Sequence, residues 1–298
     1  MNNDERHFKS GFVSIAGAPN VGKSTLLNRI LGEKISITSK KPQTTRNRIL
    51  GVSHRTASQI VFLDTPGIHP AKRELNIRIV EAAMAALKDV DLILLVLDVA
   101  DSDPASEKIL INSLVSLNRP AILALNKIDL VKKPMLLTLI DSWEKVFPFQ
   151  AIIPISAKEG TQIETLLETI ENNLLPGPPY YPEDSLTDLP ERFIVAEIVR
   201  EKVFRLTGQE IPYSTAVTVD SFTRKKKNLT TIYATIHVER NSQKGMLIGK
   251  NGSKLKRIGE DARKDIETML ESRVFLKLFV RIQKNWSQDT KALRKFGY

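Results

Sequence analysis

The sequence predicts an α/β protein, with a mostly parallel sheet and crossover helices followed by a smaller α+β domain. Three observations carry this. Between Phe12 and Glu171, apolar runs alternate with amphipathic stretches, the pattern of strands covered on both faces and joined by helices. Five prolines fall within the fifteen residues from Pro176 to Pro190; proline fixes the backbone and removes donors, which marks an interdomain linker or strap. Beyond it the charge changes. Residues 190–298 carry 23 Lys or Arg against 12 Asp or Glu, whereas residues 1–189 carry 21 against 22.

The elements follow in order. Phe12–Ala16 is a strand and Lys23–Leu31 a helix. Arg48–Ser53 is a less apolar strand, suited to a sheet edge and to an antiparallel setting. Ile60–Leu63, Asp91–Leu97, Ala121–Leu125 and Ala151–Ile155 are apolar strands, with helices expected at Glu74–Leu87, Ala105–Leu117, Pro134–Lys145 and Ile163–Glu171. This places a first domain at residues 8–175, a linker at 176–190 and a second domain at 191–298. The second domain opens on a helix, Glu191–Leu206. Strands Ser214–Asp220 and Leu229–Glu239 flank a basic turn, Arg224–Asn228. A short helix at Gln243–Ile248, a glycine turn at 249–252, a helix at Ser253–Leu270, a strand at Val274–Gln283 and a basic tail complete it.

Composition excludes several classes. There is no cysteine, so disulfides and thiolate metal sites are out, and a reducing compartment fits. The N-terminus has no apolar core of a signal peptide. The longest apolar run, around Leu92–Val99, is far short of the roughly 20 residues that span a bilayer. The basic surplus suits an anionic partner, nucleic acid before membrane lipid, or a plain solvated surface.

Four short motifs sit where apolar strands run out into loops. The first is Gly17, Ala18, Pro19, Asn20, Val21, Gly22, Lys23, Ser24 and Thr25, a phosphate-binding loop opening a helix. Its glycines let main-chain N–H groups face phosphate oxygens, and the helix dipole points the same way. Lys23 is expected on the β and γ phosphates and Ser24 on Mg²⁺. The second is Asp64, Thr65, Pro66 and Gly67: Asp64 is suited to hold a magnesium-bound water and the Gly67 N–H to meet the γ phosphate. The third runs from Asn126 and Lys127 to Asp129. Asp129 can accept from N1–H and the exocyclic amine of guanine, whereas adenine would leave the carboxylate unsatisfied. Asn126 would tie this loop to the first, and the Lys127 stem would cover the base. The fourth is Ser156, Ala157 and Lys158, with the Ala157 N–H placed for guanine O6. The segment Ser36–Arg46 has no periodicity and is expected as a mobile loop over the phosphates. Thr45 is chosen from it as a magnesium ligand, with Thr44 as the alternative. Lys23, Thr45 and Gly67 are the candidate catalytic groups.

These motifs, with the tandem C-terminal domain, resemble the Era family of ribosome-assembly GTPases, within the translation-factor-like P-loop GTPases, over residues 8–298. The resemblance implies a GTP/GDP switch with Mg²⁺. The residue after Gly67 is Ile68, where the Ras-type pattern has glutamine, so slow intrinsic hydrolysis is expected. Relatives that combine a hydrophobic residue there with a P-loop asparagine use K⁺, which Asn20 makes a hypothesis here. His69 is expected to be structural rather than a base. The stretch Ile248, Gly249, Lys250, Asn251, Gly252, Ser253, Lys254 resembles the signature turn of a type II KH domain. Met246, Leu247, Leu255 and Ile258 would pack its helix pair and groove. The basic turn from Arg224 to Lys227 is either a phosphate contact or a solubilising tip. The resemblance further implies 16S rRNA near its 3′ end and the 30S subunit as partners, a monomer, and a cytoplasmic setting with peripheral inner-membrane contact left open. Two other readings stand beside the switch: a constitutive RNA-binding protein with a structural nucleotide, and a peripheral membrane GTPase in cell-cycle control.

Overall fold

The computed structural model describes residues 8–39, 41, 44–70, 74–208, 211, 214–225 and 228–296. Lys226 and Lys227 of the expected hairpin tip lie outside these, as do Pro42 and Gln43. The chain divides into two compact units. The first runs to Ser36 and resumes from Thr45 to Asp188; the second comprises Ile37–Thr44 and the chain from Leu189 onward.

The first unit is built on six strands: β1 (Lys9–Ala16), β2 (Ile49–His54), β3 (Ser58–Asp64), β4 (Leu92–Asp98), β5 (Ala121–Asn126) and β6 (Ala151–Pro154). They lie in the order β2-β3-β1-β4-β5-β6. All pairs are parallel except β2–β3, in which Val52 faces Val61. The edge antiparallel strand expected at 48–53 is therefore β2. The helices are α1 (Lys23–Leu31), α2 (Glu74–Ala85), α3 (Pro104–Leu117), α4 (Lys133–Glu144) and α5 (Ile163–Asn173). One sheet face packs Leu50, Val61, Leu63, Ile93, Leu95 and Leu123 against Ala83 and Leu87 of the α2 region and Leu110 and Leu114 of α3. On the other face, a Cβ at Gly51 would meet Leu31 at 2.6 Å and Leu27 at 3.0 Å, so the glycine makes room for α1. α2 ends at Ala85 rather than at the expected Leu87. Its last turn tightens to bonds three residues apart, from Leu87 N to Met84 O and from Lys88 N to Ala85 O, and Leu87 remains fully buried.

The stretch expected as a linker is bonded along the first unit. Gln59, buried in β3, accepts from the N–H groups of Tyr180 and Tyr181 at 2.7 and 3.0 Å and donates to the Tyr181 carbonyl at 2.7 Å. Val52 N donates to Leu186 O at 2.9 Å, and Thr187 Oγ1 donates to Leu50 O at 2.6 Å. An edge strand exposes unpaired main-chain groups, and the proline-rich strap satisfies two of those on β2, the Val52 N–H and the Leu50 carbonyl.

The second unit contains α6 (Glu191–Leu206), β7 (Ala216–Lys225), β8 (Leu229–Val238), α7 (Asn241–Ile248), α8 (Ser253–Leu270), β9 (Arg273–Ile282) and α9 (Thr290–Lys295). The sheet order is β7-β8-β9, with β7–β8 antiparallel and β8–β9 parallel. Its core joins Val195, Val199 and Val203 of α6, Ile258, Ala262 and Ile266 of α8, and Ile232 and Ile236 of β8. α6 is buried on nearly all sides, charges included. Glu197 pairs with Arg200, and Glu201 with Arg205 at 2.6 Å. Thr38, Lys41 and Thr44 dock on this helix: Thr38 N donates to Glu201 Oε1 at 3.3 Å, Arg200 donates to Thr44 O, and Lys41 donates to the carbonyls of Phe204 and Thr207. Lys41 thus caps the carbonyl end of α6, where a cation is favoured. The segment read as a free loop is held by side chains more than 150 positions away.

The expected basic tail is folded as well. Trp286 is fully buried, donates Nε1 to Ser214 O at 3.0 Å and meets Phe296 at 5.2 Å. Asp289 caps α9, and Leu293 is buried. Three apolar side chains spread through a basic run are too few to give a period, yet they suffice to seat a short helix.

Candidate functional site

The nucleotide motifs converge at the carboxyl ends of β1, β3, β5 and β6. Gly22 has φ 104° and opens α1, which has neither a side-chain cap nor an acidic residue in its first turn. Its free N–H groups and dipole suit an anion. Lys23 is buried, and its ammonium donates to the Gly17 and Ala18 carbonyls at 3.1 and 2.8 Å. Burial pushes its pKa down to about 8, against the pull of Asp64, which favours the charge. A desolvated cation inside a cradle of main-chain amides matches phosphate.

Below it, oxygens gather. Ser24 Oγ donates to Asp64 Oδ2 at 2.7 Å and lies 2.8 Å from Thr45 Oγ1. Ser36 Oγ donates to the same Asp64 oxygen at 2.8 Å. Asp64 is fully buried; burial raises its pKa, and Lys23, Ser24 and Ser36 oppose that. Its Oδ1 is buried with no hydrogen-bond partner, a costly arrangement that a hard cation would relieve. Ser24, Thr45 and Asp64 gather oxygens of the kind that would suit Mg²⁺. Among the described residues no cluster of three His, Cys, Asp or Glu offers another metal site. The Thr44 hydroxyl is turned elsewhere, donating to Lys41 O at 2.7 Å.

The loop from Asp64 to Ile68 lies directly on the phosphate loop. Thr65 Oγ1 donates to Ile15 O at 2.8 Å, and Ile68 N donates to Gly17 O at 3.1 Å. A Cβ at Gly67 would stand 2.7 Å from Pro19 N and Cα, so this approach requires glycine. The Ile68 side chain is fully buried in the core, and a His69 ring nitrogen bonds the Gly67 carbonyl at 2.9 Å. Pro66 completes this turn, and Asn20, with φ 66°, lies exposed at the rim of the phosphate loop.

At the base end, Asn126 Nδ2 donates to Val21 O at 2.7 Å. A Cβ on Gly22 would lie 2.3 Å from that same Nδ2, so Gly22 serves the base loop as well as the phosphate loop. Ser156 Oγ donates to Asp129 Oδ1 at 2.6 Å and orients the exposed carboxylate. Lys127 is left-handed, φ 68°, and pairs with Asp98. One expectation changes: the Ala157 N–H donates to Asn126 Oδ1 at 2.9 Å, so reaching a guanine O6 requires sharing or exchanging that bond. Lys158 is exposed and pairs with Glu159 at 2.7 Å. Thr25 is half-buried in the first turn of α1. Ser36 and Asp98 escaped the sequence reading, because each is a lone polar residue outside any motif.

In the second unit, Gly249 (φ 70°), Asn251 (φ 52°) and Gly252 (φ 76°) turn α7 into α8. A Cβ on Gly249 would meet Lys254 Cβ at 2.9 Å. Lys250 and Asn251 are exposed, whereas Ile248 and Lys254 are half-buried. Leu247 and Ile258 are fully buried, and Met246 is exposed rather than packed. A groove of about 400 Å³ runs between α8 and β9, lined by Gly252, Leu255, Lys256, Gly259, Leu276 and Leu278 among others. Its apolar floor and basic mouth suit unstacked bases and a phosphate backbone.

Two family models match: 50S ribosome-binding GTPase over residues 12–127 and KH domain over residues 210–287. The chain is 54% identical over 295 residues to the GTPase Era of Geotalea uraniireducens and 55% identical to that of Geobacter sp. strain M21, each alignment covering 99% of both chains. It is similar to the crystal structure of an Aquifex aeolicus Era variant bound to GDP·AlF4⁻, at 42% identity and a TM-score of 0.94. It is equally similar, at 43% identity and a TM-score of 0.94, to Era in complex with MgGDPNP and nucleotides 1506–1542 of 16S ribosomal RNA. Both matches cover 98% of this chain and 99% of the other. Matched in order along nearly its whole length, this chain belongs to the Era family of GTPases.

Proposed function

We propose that this GTPase is a nucleotide-controlled RNA-binding protein that assists maturation of the small ribosomal subunit. It binds 16S rRNA near its 3′ end through the glycine-turn groove and engages the 30S subunit in the cytoplasm. The observation that carries the reading is the presence, in one chain, of a phosphate and metal site and of that groove. The likeness to an Era complex holding both MgGDPNP and 16S nucleotides 1506–1542 supports it. The GTPase family description names the 50S particle; the small-subunit reading rests on the 16S fragment instead.

The chain's own groups do the following. Main-chain N–H groups of the phosphate loop and Lys23 bind and orient the phosphates, while Ser24 and Thr45, with Asp64 through a bound water, would hold Mg²⁺, which would supply positive charge there. Asp129, positioned by Ser156, accepts from guanine. Ile68, buried in the core, offers no hydrogen bond to the attacking water, so intrinsic hydrolysis is slow. Asn20 would help hold K⁺ near the phosphates; equal rates in Na⁺ and K⁺ at fixed ionic strength would remove that part. Thr45 adjoins the segment that α6 grips at Thr38, Lys41 and Thr44. Loss of the γ phosphate therefore acts on a segment counted with the RNA-binding unit.

Crosslinking in cells with sequencing of bound RNA should recover the 3′ end of 16S rRNA. In solution, RNA affinity should differ between the GDP form and the form with a nonhydrolysable GTP analogue. Identical affinities would reduce the protein to a constitutive RNA binder. Among the described residues no helix is long and apolar enough to cross a membrane, and the function proposed requires no membrane attachment.

A further inference from the structure

Neither the nucleotide site nor the glycine-turn groove uses the outer face of the β7-β8-β9 sheet. Alternation along β9 turns Val274, Leu276, Leu278, Val280 and Ile282 toward the helices, and sends Arg273, Phe275, Lys277, Phe279 and Arg281 outward. Phe275 is 52% exposed and Phe279 44%, unusual for a residue type that is mostly buried. Tyr233 of β8 stands beside both, its ring centroid 6.4 Å from Phe275 and 6.5 Å from Phe279. Lys277 Nζ lies 5.3 Å from the Phe279 centroid. The cross-strand partners of the two phenylalanines are Thr231 and Thr235. At one end of the face Phe296 packs on His237 at 4.6 Å, so the C-terminal segment covers that end and leaves the rings open.

Exposed rings alone would suit many partners; the interleaved charge selects among them. A cation stands at every second outward position of β9, successive ones about 13 Å apart along an extended strand, with a ring between each pair. A second copy would set like charges against like, and an apolar surface would leave them unpaired. A single nucleic-acid strand with splayed bases supplies a π face for each ring and a phosphate for each cation. Asp220, the nearby acid on β7, is engaged by Thr235 Oγ1 at 2.6 Å. β9 is also an edge strand of the sheet, its helix-facing side lines the groove beside Gly252, and Lys277 lies at the rim of both. A strand leaving the groove would cross this edge onto the outer face.

We propose that Tyr233, Phe275 and Phe279, with Arg273, Lys277 and Arg281, form a second, sequence-tolerant stacking surface for single-stranded RNA that continues the strand held at the glycine turn. The inference rests on the RNA-binding reading above. Its test uses the full chain with a nonhydrolysable GTP analogue and labelled oligouridylates, followed by fluorescence anisotropy. One oligomer has about five nucleotides, close to the length a KH groove clamps, and one has about fifteen. Phe275→Ala with Phe279→Ala should weaken the longer oligomer by at least about tenfold and leave the shorter one and GTP hydrolysis unchanged. Phe275→Tyr with Phe279→Tyr should keep the longer-oligomer affinity, because the stacking face is retained. Gly252→Asp should weaken both oligomers. Equal affinity of wild type and the double alanine variant for the longer oligomer overturns the stacking surface and leaves the groove reading intact. A wild-type chain that binds neither oligomer overturns both. Self-association abolished by the alanine pair, with RNA affinity unaltered, would assign the rings to a second copy and overturn the proposal.

Discussion

Asp129 is exposed, so its orientation comes from the Ser156 hydroxyl at 2.6 Å rather than from burial. A carboxylate accepts from two N–H groups, whereas an amide offers one donor and one acceptor. Asp129→Asn should therefore move base preference from guanine toward xanthine, by a factor on the order of 10³, in competition between GTP and xanthosine triphosphate; retained GTP preference rejects the role. Lys23 makes a second test. Its pKa is about 8 in the folded chain against an ordinary 10.5, so the folded chain holds fewer protons between those values. Stability should be level below pH 8 and rise above it, by up to ~3 kcal/mol, until the unfolded lysine also loses its proton. Nucleotide binding has the opposite sign, because phosphates favour the charged amine. GDP affinity should fall above pH 8, by up to about tenfold per pH unit, with proton uptake visible by calorimetry in two buffers. A flat profile would mean that Lys23 does not meet the phosphates. Lys23→Ala should abolish tight binding at any pH. Both residues are legible in the sequence because their motifs have fixed spacing. Ser36, which donates to Asp64 from 28 positions away, has no such frame.

At the scale of elements, long apolar runs are legible and short irregular segments are not. Burial on both faces makes β3, β4 and β5 continuous hydrophobic stretches, a signal no loop imitates. The strap has no period, and its hold on the first unit depends on Gln59. Gln59→Leu keeps the volume but leaves the N–H groups of Tyr180 and Tyr181 without their acceptor. It should lower stability by about 2–4 kcal/mol in urea denaturation; a loss below about 1 kcal/mol would show the strap is dispensable to the fold. The turn between α7 and α8 offers the converse case. A Cβ at Gly252 meets nothing within 4 Å, but the residue has φ 76°. Gly252→Asp should therefore fold with modest strain, place a negative charge beside the groove and weaken RNA binding, while GTP hydrolysis stays nearly unchanged. Hydrolysis lost with RNA binding intact would reverse the assignment of sites to units.

For the molecule as a whole, the positive surplus confined to residues 190–298 sets how RNA binding responds to salt. Contacts by Lys250, Lys254 and Lys256 alone should give a log–log slope near −2, from about −0.7 per phosphate on a single strand; a slope near zero would exclude them. The alternating apolar runs determined the α/β fold, and the ordered motifs pointed to the phosphate and guanine chemistry and the glycine turn. Each is local: a few residues at fixed spacing place main-chain amides, a carboxylate or a left-handed glycine where the chemistry needs it. Only the tertiary structure decided that Ile37–Thr44 joins the second unit, that the strap closes the edge of β2, that Ala157 is bonded to Asn126, and that three rings meet on the outer face of β9. Those pairings join residues tens to more than a hundred positions apart. Packing selects them after the local elements form, so they leave no periodicity along the chain.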